Sequence, residues 1–197
     1  ADAAKRRGLI RALGADICRY SRIKPMKYTF VPMNQEYAST IVNTWKYEKE
    51  YSIYDYSNEA DHMFDEENWG KGLFAVLNQE GDLIGELTIE FYDAQGQYTE
   101  YCNFDDEALL NERELWIGFG LRPDLVGQGL GVEFVLDCVK YAIQKYHYRG
   151  EYIRLGVALF NQRAVKTYER AGFQEFEHTV GEIGGKTVVC VQMRKRL

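Results

Sequence analysis

A chain of 197 residues with 46% apolar side chains is the size of one domain and can bury a substantial core, which excludes disorder as its main state. Its 24 Lys and Arg against 30 Asp and Glu leave a net charge of −6, which argues against broad binding to nucleic-acid phosphates, because that requires a cationic face. No run approaches the roughly eighteen apolar residues of a membrane span. Cys18, Cys102, Cys138 and Cys190 form no Cys-x-x-Cys pair, and His62, His147 and His178 are scattered, so neither a disulfide framework nor a metal site is expected and a reducing cytoplasm fits best.

The first 25 residues stand apart. Lys5, Arg6, Arg7, Arg11, Arg19, Arg22 and Lys24 against Asp2 and Asp16 give them a surplus of five positive charges, so the rest carries −11. The run Lys5 to Ile10 has the outline of an export signal, but Arg11 and Asp16 interrupt it, and a chain that is not exported is expected. Leu9, Leu13 and Ile17 would share one face of a short helix. Met26 follows Pro25, so 1–25 reads either as a native basic arm or as an upstream artefact, with a single domain over 26–197.

From Lys27 the alternation through Tyr28, Phe30 and Pro32 predicts a short strand, and Asn34 caps a helix running to Trp45. The connection 46–68 carries eight acidic side chains, Asp55 and Asp61 among them, interleaved with Tyr47, Tyr51, Tyr54 and Tyr56. It reads either as a solvated face or as a wall that attracts and stacks on cations. Leu73–Leu77 and Leu83–Tyr92 are β-rich and joined by a Gly81-containing loop, which predicts an antiparallel hairpin. Residues 93–112 are polar, with Asp105, Asp106 and Glu107, and predict a loop. Glu114–Leu121 is then a buried strand in which Gly118 and Gly120 predict a bulge or the close approach of another backbone.

Leu125 to Gly131 is a glycine loop, and Val132, Val135, Leu136, Val139, Ile143 and Tyr146 follow it at helical spacing. Ile153–Ala158 is a strand, Asn161 caps a further helix that Gly172 ends, and Gln174–Val180 with Lys186–Met193 form a hairpin across 181–185. The order predicts one α/β domain with a mixed sheet.

A strand that passes through a glycine loop into a helix aims several backbone N–H groups and the positive end of the helix dipole at one point, which suits a phosphate or diphosphate. The spacing Gly127-x-Gly129-x-Gly131 does not match the dinucleotide fingerprint, and no ribose-binding acid follows about twenty residues on. Gly184-Gly185-Lys186-Thr187 fails as a P-loop, because Val180 stands where the first glycine is required and a strand follows.

Leu121-Arg122-Pro123-Asp124-Leu125-Val126-Gly127-Gln128-Gly129-Leu130-Gly131, and then Asn161 to Phe173, resemble the two signature blocks of the GNAT superfamily of N-acetyltransferases, with the likeness running from about residue 27 to 194. The resemblance implies mostly antiparallel N-terminal strands, two central parallel strands that splay apart, and flanking helices. It implies acetyl-CoA as co-substrate, with no metal, held by Leu121, Val126, Gly127, Gln128, Gly129, Leu130, Gly131, Asn161 and Arg163, with Lys166 as a further candidate near the outer phosphates. Val126 departs from the family pattern, which has Gln or Arg there. Its backbone N–H is still expected to serve phosphate.

The acceptor amine must lose a proton before it attacks. Near Glu114 many relatives keep a strand glutamate, so Glu114 is the expected base and Glu112 its nearest rival. A backbone N–H at a bulge around Phe119 to Leu121 is expected to meet the oxyanion. Tyr168 occupies the family's tyrosine position and is the expected acid for the leaving thiolate. Asn161 and Tyr168, seven residues apart, fall on nearly one helix face. The reading is acetyl transfer by direct attack to a primary amine of a small cationic molecule, such as a polyamine or aminoglycoside, or of a peptide. The rivals are a non-catalytic acyl-CoA-binding module and an RNA-associated acetyltransferase using the basic arm; a homodimer stays open and no membrane partner is expected.

Overall fold

The computed structural model describes residues 26–58, 60–101 and 113–197. The basic arm, Cys18, Cys102, the acids at 105–107 and Glu112 lie outside the described residues. An eight-stranded sheet is built from β1 (Thr29–Pro32), β2 (Leu73–Leu77), β3 (Leu83–Asp93), β4 (Tyr98–Thr99), β5 (Arg113–Leu121), β6 (Tyr152–Ala158), β7 (Gln174–Ile183) and β8 (Lys186–Arg196). The spatial order is β1-β2-β3-β5-β6-β8-β7, with β4 against β3. Every described pairing is antiparallel except β5 with β6. This is the mixed α/β architecture that the sequence implies.

The helices are α1 (Gln35–Thr44), α2 (Ala60–Met63), α3 (Gly131–Tyr146) and α4 (Gln162–Arg170). Asn34 caps α1 by accepting the Tyr37 N–H at 2.8 Å, as its side chain type predicts. Two cores form on opposite faces of the sheet. Phe74, Val76, Leu87, Ile89, Leu115 and Ile117 pack with Phe134, Val135 and Val139 of α3, whereas Leu73 and Ala75 face Ala38, Ile41 and Trp45 of the α1 region. Strand β2 is covered on both sides, which is why its sequence is a continuous apolar run.

The start of β1 is tied to α3 by Asp137, whose carboxylate accepts the N–H of Lys27 at 2.6 Å and of Tyr28 at 3.3 Å. Among the described residues no helix is long and apolar enough to cross a membrane.

Candidate active site

Strands β5 and β6 pair only at Leu115 with Ile153 and Trp116 with Arg154, and then separate. The N–H of Arg122 donates to Ile84 at 2.8 Å, so even-numbered residues of β5 turn their N–H groups to β3 and odd-numbered ones toward β6. Past Trp116 the N–H groups of Ile117 and Phe119 therefore face a gap in the sheet. That gap is the centre of a cleft of about 830 Å³, lined by both strands, the glycine loop, α4 and the tyrosines of the acidic connection.

The ladder between β3 and β5 runs from Gly85–Leu121 to Asp93–Arg113 without a shift, so the bulge expected in β5 is absent. Gly120 serves side-chain approach instead. A Cβ on Gly120 would lie 1.8 Å from the Tyr56 hydroxyl, so glycine there lets the tyrosines of the connection reach the strand. The Tyr47 hydroxyl donates to the Leu121 carbonyl at 2.9 Å, and the Ala158 N–H donates to the Tyr54 hydroxyl at 3.3 Å, spanning the end of the splay.

The glycines of the loop have different tasks. Gly127 and Gly129 have φ of 85° and 81°, a left-handed backbone, with open space where a Cβ would stand. At Gly131 a Cβ would meet Thr167 at 3.0 Å, so that residue permits α3 to approach α4. Leu130 precedes α3 with no side-chain cap, and the first-turn N–H groups of Gly131 and Val132 have no carbonyl of the helix within reach. The Val126 N–H, expected to serve phosphate, donates instead to Pro123 at 3.2 Å, because a 3-10 turn (Pro123–Leu125) precedes the loop. Gly127, Gly129 and the first turn of α3 are left as an anion cradle. Gln128 folds back on the Asp124 carbonyl at 2.7 Å, and neither Gln128 nor Leu130 lines the cleft; Leu121, Val126, Asn161 and Arg163 do.

Asn161 caps α4 by accepting the Ala164 N–H at 3.2 Å, and Tyr168 lies two turns on, its ring 5.5 Å from that of Phe119 at the edge of the splay. Burial raises the Tyr168 hydroxyl above its ordinary value, so it keeps its proton at neutral pH. The Arg163 guanidinium lies 4.6 Å over the Tyr51 ring.

Glu114 is placed elsewhere. Its carboxylate pairs with Arg154 at 2.5 Å, and it is six residues, about 20 Å of strand, from Gly120. It does not line the cleft. The carboxylate that does, beside Gly120, is Glu86 of β3, which sequence reasoning missed. Glu86 is 5% exposed and accepts the Tyr56 hydroxyl at 2.8 Å and the Thr88 hydroxyl at 3.2 Å. Burial pushes its carboxyl up to about 7, and the hydrogen bonds from Tyr56 and Thr88 oppose that shift. In sequence Glu86, Thr88 and Glu90 alternate with apolar residues and look like an ordinary solvated face. Only the layer laid over that face by Tyr47 and Tyr56 buries Glu86.

The charges lining the cleft are divided between elements, although Arg163 reaches the connection at Tyr51. Arg163, Lys166 and Arg170 all lie on α4, beside the glycine loop, whereas Asp55, Glu86 and Glu90 lie on β3 and the tyrosine-bearing connection. Of the described acids in that connection only Asp55 lines the cleft, and its carboxylate accepts the Tyr47 N–H at 2.8 Å. Among the described residues no three His, Cys, Asp or Glu side chains are grouped so as to hold a metal ion.

Two strands splayed beside an uncapped helix N-terminus define a group-transfer cleft for an anionic carrier. The profile of the Acetyltransferase (GNAT) family matches residues 40–173, and the chain belongs to that family, whose acetyl donor is acetyl-CoA. Similar solved structures include a chimera of spermidine N-acetyltransferase SpeG from Vibrio cholerae and hSSAT, at 20% identity over 86% of this chain and 95% of that one, with a TM-score of 0.60. An acetyltransferase of the GNAT family from Bacillus anthracis is 13% identical over 88% and 97%, with a TM-score of 0.60. Spermidine N-acetyltransferase from Vibrio cholerae, in complex with CoA and spermine, is 18% identical over 87% and 96%, with a TM-score of 0.58. At these identities the likeness is one of fold. No curated protein sequence matches the chain.

Proposed function

We propose that the protein is an acetyl-CoA-dependent N-acetyltransferase that acts on the primary amine of a small cationic molecule or peptide by direct attack in a ternary complex, with residues 26–197 as its single catalytic domain. The observation that carries this reading is the polarity of the cleft: a basic helix and an N–H cradle at one end, buried and half-buried carboxylates among tyrosines at the other. One end suits the phosphates of a carrier and the other a cation.

Acetyl-CoA supplies the activated acetyl group as a thioester. Gly127, Gly129 and the first turn of α3 would hold its diphosphate, and the exposed N–H edge of Ile117 and Phe119 offers fixed donors along the splay. Glu86, poised near neutrality, takes the proton from the acceptor ammonium; Tyr56 and Thr88 orient its two oxygens and stabilise the ionised carboxylate. In this proposal Glu86 replaces Glu114, whose ion pair and position remove it from the cleft. Tyr168 retains its proton and, in this reading, gives it to the departing sulfur. A cytoplasmic place of action belongs to the same reading, and the free, buried thiols of Cys138 and Cys190 support it.

Calorimetric titration of acetyl-CoA, followed by thiol release with a panel of amines, tests the proposal. Binding with turnover on cationic amines is the expected result, and Tyr168→Phe should lower kcat about tenfold with little change in acetyl-CoA affinity. Absence of acetyl-CoA binding would overturn the reading, as would binding without transfer to any amine.

A further inference from the structure

The acceptor end of the cleft has a shape as well as a charge. Glu86, Thr88 and Glu90 alternate along one face of β3, and their register partners on β5 are Gly120, Gly118 and Trp116. Strand β5 lies in the middle of the sheet, where both faces are ordinarily covered, yet Gly118 is exposed. A Cβ at Gly118 would have only the Thr88 Cβ within 4 Å, at 3.7 Å, so no packing demand explains the missing side chain. The result is a trough floored by backbone, with a carboxylate at each end. At about 3.4 Å per residue, Glu86 and Glu90 are ~13 Å apart along the strand.

The far end is a built cation seat. The Tyr92 hydroxyl donates to Glu90 at 2.9 Å and orients its carboxylate, and the Trp116 indole, directly across the ladder, lines the cleft beside it. The nearby cation, Arg154, lies 6.0 Å from the centre of the Trp116 ring, but its ion pair is with Glu114 and not with Glu90. His62 borders the middle of the trough, its Nε2 3.5 Å from the Thr88 hydroxyl. Among the described residues no cation is ion-paired with Glu90, so a monocation at Glu86 leaves it without a counter-ion, whereas a linear molecule with an ammonium at each end satisfies both carboxylates at once.

Resting on the acetyltransferase reading above, we propose that the acceptor is a linear dication lying along this trough, its reacting amine at Glu86 and its far ammonium between Glu90 and the indole of Trp116. Recognition is then by length. Extended diaminooctane, with ~11 Å between its nitrogens, spans the two seats, and diaminopropane does not.

The experiment compares kcat/KM for diaminooctane, diaminopropane and octylamine in the wild type, Glu90→Gln and Gly118→Ala, with calorimetric binding of diaminooctane to the protein saturated with CoA. The wild type is expected to prefer diaminooctane over both other amines by at least tenfold. Glu90→Gln should bring the ratio between diaminooctane and octylamine close to one. Gly118→Ala, whose added methyl the fold accommodates, should raise KM for diaminooctane several-fold. Equal rates on diaminooctane and octylamine in the wild type would overturn the dication proposal while leaving the acetyltransferase reading intact; so would a Glu90→Gln variant that slows both amines alike. Calorimetry separates the two readings in the other direction, because diaminooctane binding that Glu90→Gln weakens supports the trough even if acetyl transfer were absent.

Discussion

Glu86 shows how one buried side chain links chemistry to stability. Its folded value near 7 lies above the ordinary carboxylate value of 4.5, because burial penalises the charged form. The folded state therefore binds a proton more tightly than the unfolded chain. Its contribution to stability is complete below about pH 4.5 and is lost as pH rises to about 7, a total of roughly 3 kcal/mol. Urea unfolding should show that decline in the wild type and its absence in Glu86→Gln. The same ionisation is what the proposed role of Glu86 as base requires, so kcat/KM should rise through an acid limb near pH 7. Glu86→Gln should lose that limb and fall about a hundredfold. A pH–rate profile unchanged in the Gln variant would remove Glu86 from the mechanism.

Among the elements, the glycine loop and α3 have separable duties. Gly129, at φ 81°, holds the cradle open, and a side chain there costs about 1–2 kcal/mol of backbone strain. Gly129→Ala should weaken acetyl-CoA binding by about tenfold in calorimetry. Further along that helix, Asp137 accepts two backbone N–H groups at the start of β1. Asp137→Ala leaves those donors without their carboxylate and should destabilise the fold by about 2 kcal/mol in urea unfolding, with acetyl-CoA affinity unaffected. In the proposed function one helix therefore offers a ligand seat at its N-terminus, and further along it anchors the first strand.

The whole molecule separates its charges across one cleft, cations on α4 and carboxylates on β3, and the sheet splay joins the two ends. The basic surplus of residues 1–25 is no part of that arrangement as proposed. A protein comprising 26–197 should match the full chain in thermal unfolding and in acetyl transfer. A loss of either would show that the arm belongs to the catalytic domain.

The local elements were legible because each depends on neighbours in sequence: the Asn34 and Asn161 caps, the continuous apolar run of β2, and the passage from Gly127-Gln128-Gly129 into α3. The signature blocks carried the family and its carrier for the same reason, since loop and helix N-terminus are contiguous. The proposed base was not legible. Glu86 and Glu114 both sit on polar, alternating strand faces, and sequence carries no record of what covers a face. Tertiary structure sets them apart by laying Tyr47 and Tyr56 over Gly120 and setting Arg154 beside Glu114, and the proposal of Glu86 as base rests on that difference. It also replaced the expected bulge with an unbroken ladder and turned the Val126 N–H into its own 3-10 turn. Short-range periodicity and backbone freedom made the principal strands and helices readable from the sequence, and with them the kind of carrier that the glycine loop suits, whereas the short β4 and α2 were not readable. Only the tertiary structure decided which carboxylate is desolvated and which is paired, because desolvation is set by groups brought together from distant parts of the chain.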